Sequence, residues 1–258
     1  MNENTNSPAP WSDRMFKALW VSSAICGIAI LAGLTIHGYF MSNRSATNTI
    51  AVTGSAKMEV KSDLAKWSAS FARRATLSGL KTALAQSNSD TDRIKKFIID
   101  SGISESSITF LPIQSDPIYA NQSGGYYGPS QDISGYSIRQ EVRVEDADIA
   151  KVDALAKNVS KLIDEGIIAD YQHTEYYYTK LDALRPELFA AATKDAKTRA
   201  EAIAGGTGVK IGALKSARTG VIQVLSPNST DVSDYGTYDL STKDKEISAT
   251  VNVSFELK

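Results

Sequence analysis

The sequence predicts an α+β domain of two layers, helices packed on a largely antiparallel sheet, preceded by a single transmembrane helix. Three observations carry that expectation. Several segments alternate apolar and polar residues, the period of a strand with one covered face. Between them lie three longer stretches whose apolar residues recur every three to four positions, the period of an amphipathic helix. Ahead of all of these, Ala18 to Phe40 contains no Asp, Glu, Lys or Arg.

That charge-free run, ALWVSSAICGIAILAGLTIHGYF, is 23 residues long. At about 1.5 Å per residue a helix of this length crosses a hydrocarbon core of about 30 Å. Lipid offers the backbone no hydrogen-bond partners, so a helix is the single-segment solution. Trp20 near one end, with Tyr39 and Phe40 near the other, stand where amphipathic rings anchor in the headgroup layer. A cleaved signal peptide would carry a shorter apolar stretch of about 7–15 residues and a small-x-small cleavage site. Here Met41-Ser-Asn-Arg44 follows, so the run reads as an uncleaved signal anchor and membrane lipid as a partner. Arg14 and Lys17 before the span, against Arg44 alone after it, leave residues 1–17 as a cytoplasmic tail. Residues 41–48 are small and polar, a tether to the exported domain at 49–258.

The first strand is expected at Ile50–Gly54. In the second, Ala65, Trp67, Ala69 and Phe71 alternate with Lys66, Ser68 and Ser70. Gly79 to Ser101 is helical by its spacing, with Leu80, Ala83, Leu84, Ile94, Phe97 and Ile98 inward and Ser78 as N-cap. Its polar middle, Ser87 to Asp92, is a place where it could break, and Gly102 stops it. Ile108 and Phe110 begin another extended piece. Pro112 to Ser134 is punctuated by proline, glycine and tyrosine and must be partly irregular. Gly135–Val144 is a strand with Tyr136, Ile138, Val142 and Val144 on one face. Asp146 then caps a second helix, in which Ile149, Val152, Leu155, Val159 and Leu162 or Ile163 point inward and which Gly166 ends.

Ile168 to Thr179 is extended. Leu184 to Ala204 is the third helix, with Pro186 tolerated in its first turn, alanines that permit close approach, and Gly205-Gly206 as its stop. Ile211 to Val224 holds one or two strands, and Ser226 to Lys245 is a polar loop. Ile247, Ala249, Val251, Val253, Phe255 and Leu257 form the strictest alternation in the chain. The order of elements also accommodates two interlocked βαβ-type units.

Composition removes several functions. A formal net charge of -1 supplies no cationic field for phosphates, which excludes a nucleic-acid partner. One cysteine excludes a disulfide scaffold and a cysteine-based zinc site. A Ser-His-Asp arrangement would have to use His173, because His37, the other histidine, lies in the apolar span. Asp231, Asp234 and Asp239 share a loop without EF-hand spacing. Gly206-Thr-Gly208-Val-Lys-Ile-Gly212 follows a helix instead of opening one, so it reads as a helix stop and not as a nucleotide loop. No catalytic residue, cofactor or metal ligand set is assigned. The candidates for ligand or subunit contact are tyrosines, which combine apolar area with a polar tip. They are Tyr119, Tyr126 and Tyr127 around the Gly-rich segment, and Tyr176 and Tyr178 in the strand at 168–179.

Four stretches carry a family likeness: Ile50-Ala-Val-Thr-Gly-Ser-Ala56 leading to Val60-Lys-Ser-Asp63-Leu-Ala65, then Ile133–Val144, Ala191–Ala204 and Ile247–Leu257. In this order they resemble the SIMPL-domain (DUF541) family, with Ser62 where that family usually has proline. The resemblance implies a bacterial envelope protein with an exported, usually periplasmic domain that tends to homo-oligomerise, some members being linked to oxidative-stress defence. It implies no catalytic residues. The expected protein is therefore a non-enzymatic, single-pass protein of the bacterial inner membrane, with its carboxy-terminal domain in the periplasm and assembling with copies of itself. The alternative is a periplasmic module that binds a cell-wall glycan or small ligand through the Tyr/Gly-rich loop.

Overall fold

The computed structural model describes residues 20, 27–37, 48–120, 132–231, 233 and 235–258. Residues 27–37 form a helix, α1, whose Ile28, Ile30, Leu31, Leu34 and Ile36 are all exposed. Among the described residues no helix is long and apolar enough to cross a membrane. Of the expected span, 18–40, only Trp20 and α1 are described, and Tyr39 and Phe40 lie outside the described residues.

The remaining elements are β1 (Thr49–Lys61), β2 (Leu64–Ala75), α2 (Leu80–Asp100), β3 (Ile108–Phe110), β4 (Gln114–Tyr119), β5 (Ile133–Asp146), α3 (Ile149–Asn158), β6 (Ala169–Tyr177), α4 (Leu181–Gly206), β7 (Ile211–Leu225) and β8 (Asp244–Leu257). The α+β class holds. Where one sheet was expected there are two: one with the order β3-β5-β2-β6, β4 also pairing with β5, and one with the order β1-β8-β7. The chain falls into two compact units, a larger one of residues 54–195 and 219–251 and a smaller one that includes 196–218 and 252–258.

In the larger unit, β2 pairs antiparallel with both β5 and β6, and β3 and β4 pair antiparallel with β5. Two βαβ units, β2-α2-β3 and β5-α3-β6, are thus interlocked, each inserting a strand beside the other's, a split βαβ arrangement. The cause is legible in β2. Ala65, Trp67 and Ala69 have no exposure and face Val142, Val144, Ile94, Ile98, Val152 and Leu155. A strand of small residues around one tryptophan lets two helices lie close to its face.

Several local expectations change. Helix α2 does not break at its polar middle, because Ser87 and Asp90 fall on its buried stripe with Ala83, Ile94 and Ile98, and Arg73 reaches across to pair with Asp90. Ser78 does not cap α2. It lies in a 3-10 turn over Leu77–Gly79, and Gly79 takes the cap position. Asp148, not Asp146, caps α3, accepting from the Lys151 N–H at 3.3 Å. Asp146 instead accepts from the Asp148 N–H at 2.8 Å, which shapes the entry to the cap. Leu162, not the exposed Ile163, completes the buried stripe after α3, and Gly166 ends that stretch at φ +73. Helix α4 starts at Leu181, so Pro186 sits in its second turn and leaves the Asp182 carbonyl without a helical donor. β1 runs to Lys61, and 211–225 is one strand.

The second sheet is covered in the larger unit by the start of α4. Leu188 packs there with Val224, Ile247 and Ala249, and Leu181, Leu184 and Phe189 join from the same helix. Leu188, Ala192, Ala196, Ala200 and Ala204 are buried at every fourth position of α4, the stripe that the alanine run anticipated. On β8 the strict alternation is realised: Ile247, Ala249, Val251, Val253 and Phe255 are all buried.

Gly135 marks the tightest backbone approach in the first sheet. A Cβ there would lie 2.3 Å from the Ala75 carbonyl oxygen. The Gly135→Ala variant is expected to lose about 1–3 kcal/mol by forcing β5 off β2. Urea unfolding measures this, and an unchanged midpoint would contradict that packing.

Candidate functional site

The polar residues of the larger unit converge where the loop before β8 meets the ends of β2 and β6. Four backbone bonds tie the loop in: the Ser62 N–H donates to Lys243 O (2.8 Å), the Tyr176 N–H to Leu240 O (2.9 Å), the Asp239 N–H to Val224 O (2.8 Å) and the Val224 N–H to Thr237 O (2.8 Å). At its centre is Lys245, a lysine with no exposed surface. Its Nζ donates to Asp239 O at 2.5 Å and Asp239 Oδ2 at 3.1 Å. The same carboxylate accepts from the Ser241 N–H (3.1 Å), the Ser241 hydroxyl (2.6 Å), the Thr242 N–H (3.2 Å) and the Thr242 hydroxyl. Burial pushes the Asp239 carboxyl up, but the bonds from Ser241, Thr242 and Lys245 outweigh it and hold the group well below the usual carboxylate range.

Two of the candidate tyrosines belong to this junction. Tyr176 donates its hydroxyl to Asp153 Oδ1 at 2.7 Å, and Lys243 pairs with the other oxygen of that carboxylate. Burial, then the Asp153 bond, push the Tyr176 phenol up to about 12. Tyr178 is half-buried beside Leu188. Its N–H donates to the Tyr238 hydroxyl at 2.9 Å, which donates back to Tyr178 O at 3.0 Å. Both rings thus serve the junction between elements of this unit. Tyr119 ends β4 with 40% of its surface exposed, while Tyr126 and Tyr127 lie outside the described residues. The structure brings Tyr176 and Tyr178 together and does not bring Tyr119 to them.

Asp63, inside the stretch that carries the family likeness, has a structural task. Its carboxylate accepts from the Thr179 N–H (2.7 Å) and the Thr179 hydroxyl (3.0 Å) and lies 3.7 Å from Lys180 Nζ, so it ties the β1–β2 corner to the start of α4. Ser62, beside it, uses the backbone N–H that a proline would lack to reach Lys243.

His173 stands half-exposed on the face of the first sheet opposite the helices, beside Ser68 on β2. It forms no hydrogen bond with Ser68, and its Nε2 is 3.9 Å from Glu175 Oε1. Among the described residues no group of three His, Cys, Asp or Glu is placed to hold a metal ion. Asp239, considered as a loop carboxylate in the sequence, is already occupied by Lys245 and two hydroxyls.

β7, one of the two edge strands of the second sheet, is different. β7 is exposed at every position from Ala213 to Thr219, and between Ala213 and Gly220 its outer side receives no backbone bond from the described loops. Its end is covered, since the Val224 N–H donates to Thr237 O at 2.8 Å. Leu214 and Val221 are exposed apolar side chains on this strand. A strand edge of this kind is a template for another strand.

Residues 50–255 match the SIMPL family model, described as a protein of unknown function (DUF541). No curated protein matches the chain.

The junction makes a stability prediction. Asp239→Ala leaves a buried ammonium unpaired and is expected to cost about 3 kcal/mol or more. Adding Lys245→Met removes that charge, so the double variant is expected to be more stable than Asp239→Ala alone. Because the Asp239, Asp153 and Asp63 carboxyls are all lowered in the folded state, their contribution is complete above about pH 4, the unfolded carboxyl range, and is lost as pH falls through the lower folded values. The urea midpoint should therefore drop below about pH 4, less steeply in the double variant. A double variant no better than Asp239→Ala would contradict the pairing.

Proposed function

We propose that this chain, which belongs to the SIMPL (DUF541) family, is a non-enzymatic assembly protein of the bacterial envelope. In this reading the segment 18–40 anchors it in the inner membrane, and the exported domain joins copies of itself through the outer edge of β7. The observation that carries the reading is the exposed seven-residue stretch of β7, 213–219, at the edge of a three-stranded sheet. Stable proteins blunt such edges with charge, bulges or covering loops. Here the loop at 237–239 covers only the end. Arg218 is the one charged residue of the stretch besides Lys215, which is drawn to Glu256 at 2.6 Å. A second copy's strand would satisfy the open edge.

The exposed apolar side chains around α1 support the anchor, because a helix apolar on all sides needs lipid or protein around it. Also in favour is how the described polar residues are used: Asp63, Asp153, Tyr176, Tyr178 and Asp239 all hold the fold. The envelope setting and a part in oxidative-stress defence come with the family likeness and belong to the proposal.

The test is the mass of the full-length particle extracted in a non-ionic detergent, measured by light scattering after subtraction of the detergent. A multiple of the chain mass is expected, and the Leu214→Lys/Val221→Lys variant should run as a single chain, since like charges opposed across a strand pair repel. A wild-type particle of one chain at micromolar concentration would overturn the assembly, and a multimer indifferent to the double substitution would overturn the β7 edge. Alkaline phosphatase fused after Lys258 is expected to be active in a bacterial host, and an inactive fusion would overturn the orientation.

A further inference from the structure

β6 stops pairing with β2 at Ala169, opposite Phe71. β2 runs on to Ala75 and keeps its register with β5, Arg73 opposite Ile138 and Arg74 opposite Ser137. A cavity of about 250 Å³ lies in the notch so formed, between β2, α2 and the turn at Gly166–Ile168. Water in the liquid occupies about 30 Å³ per molecule, so this is the space of about eight waters, room for one aliphatic side chain. Four successive residues of β2, Phe71 to Arg74, line it. Side chains alternate between the faces of a strand, so four in a row border one space only along the backbone edge.

The direction of the backbone groups at this edge follows from the ladder. Glu141 O accepts from the Leu111 N–H at 2.9 Å, on the side of β5 away from β2. Backbone groups alternate sides along a strand, so Gln140 and Ile138 turn theirs to β2, where they lie opposite Phe71 and Arg73. Ala72 and Arg74 therefore turn N–H and C=O to the side that β6 has left. No described residue pairs with the Arg74 backbone there. An open pair of this kind is a template for one more strand.

The two faces of the edge differ. Towards the helices, Arg73 is cancelled by Asp90 in a two-bond fork, Nη2 to Oδ1 at 2.9 Å and Nε to Oδ2, and the buried Phe71, Ile94 and Ile167 form an apolar wall. On the opposite face Arg74 is exposed, and among the described residues no carboxylate pairs with it. Its diagonal neighbour Arg139 is drawn to Asp170 at 3.7 Å. Asp116 shares the row of Arg74, but Ser137 of β5 stands between them, which separates the two by two strand spacings, about 10 Å. One cation is thus left over beside the open backbone pair.

We infer that this edge takes up an extended peptide segment of another protein, in which an acidic residue is followed by an apolar one. The segment runs antiparallel to β2, continuing the line of β6. Its acidic residue lies opposite Arg74, exchanges N–H···O=C bonds with it and sets its carboxylate beside the guanidinium. The next residue lies opposite Arg73 and turns its side chain into the cavity, onto Phe71, Ile94 and Ile167. Main-chain bonds supply affinity and the two side chains supply selection, the usual division in strand addition. The inference does not rest on the assembly proposed above, since β7 belongs to the second sheet and this edge to the first.

The test uses the full-length chain in non-ionic detergent and the peptide acetyl-Thr-Glu-Val-Thr-amide, titrated by saturation-transfer NMR. Saturable binding with a dissociation constant of about 1 mM or tighter is expected. Methylating the glutamate amide nitrogen removes the donor to the Arg74 carbonyl and should weaken binding about tenfold. The same peptide with lysine in place of glutamate should bind about fivefold more weakly, and Arg74→Glu should reverse that preference. Arg74 is exposed and unpaired, so the variant keeps the fold, and the comparison of peptides on the wild type stands without it. No saturable binding by the wild type, equal binding of the methylated peptide, or a preference that Arg74→Glu leaves unchanged would each overturn the site. Binding confined to the Leu214→Lys/Val221→Lys variant would show that a second copy fills the notch and would overturn it as well.

Discussion

A lysine ammonium with no access to water must be paired and hydrogen-bonded, and that requirement at Lys245 organises the larger unit of this protein. Lys245 opens β8 on its buried face. To satisfy it, the preceding loop turns back so that the Asp239 carbonyl and carboxylate both meet Nζ. Once the loop is so turned, its Leu240 and Lys243 carbonyls stand where the Tyr176 and Ser62 amides can reach them. Lys243 then meets Asp153, and Tyr238 meets Tyr178. One buried charge thereby connects β8 to β2, β6 and α3.

This arrangement bears on function by elimination of supply. Carboxylates and phenols drawn close together are the usual raw material of a reactive site, and here they are spent on holding elements in place. Among the described residues, open groups lie along the outer side of β7 and in the notch beyond the last pair of β2 and β6. The first suits contact with another strand. β7 has no strand on its outer side, and β2 runs past β6, the neighbour that would have covered it.

Much of this was legible in the sequence. In β2 and β8, each with one face covered, the period of two named the buried residues. The helical stripes of α2 and α3 were found to within one turn, except that Leu84, expected inward, is exposed. Other features were misread for definite reasons. Ser87 and Asp90 look like a solvated break, because only the structure shows Arg73 opposite them. The presence of two sheets is invisible to periodicity, which reports that a face is covered and not by what. Tyr176 and Tyr178 read as contact candidates because the partners of their polar groups, Asp153 and Tyr238, lie 23 and 60 residues away. One signal was available and went unread. Carrying the β8 alternation one step back from Ile247 places Lys245 inward, and an inward lysine demands a carboxylate nearby.

Backbone hydrogen exchange of the Asp239→Ala variant tests that demand at the amides themselves. The Ser62, Tyr176 and Val224 amides, which donate to or across the turned loop, should exchange faster by at least about tenfold, while Val142 and Val144, in the centre of the β2–β5 ladder, keep their protection. Uniform loss of protection across both sets, or no change at Ser62 and Tyr176, would show that the buried ammonium does not hold these elements together.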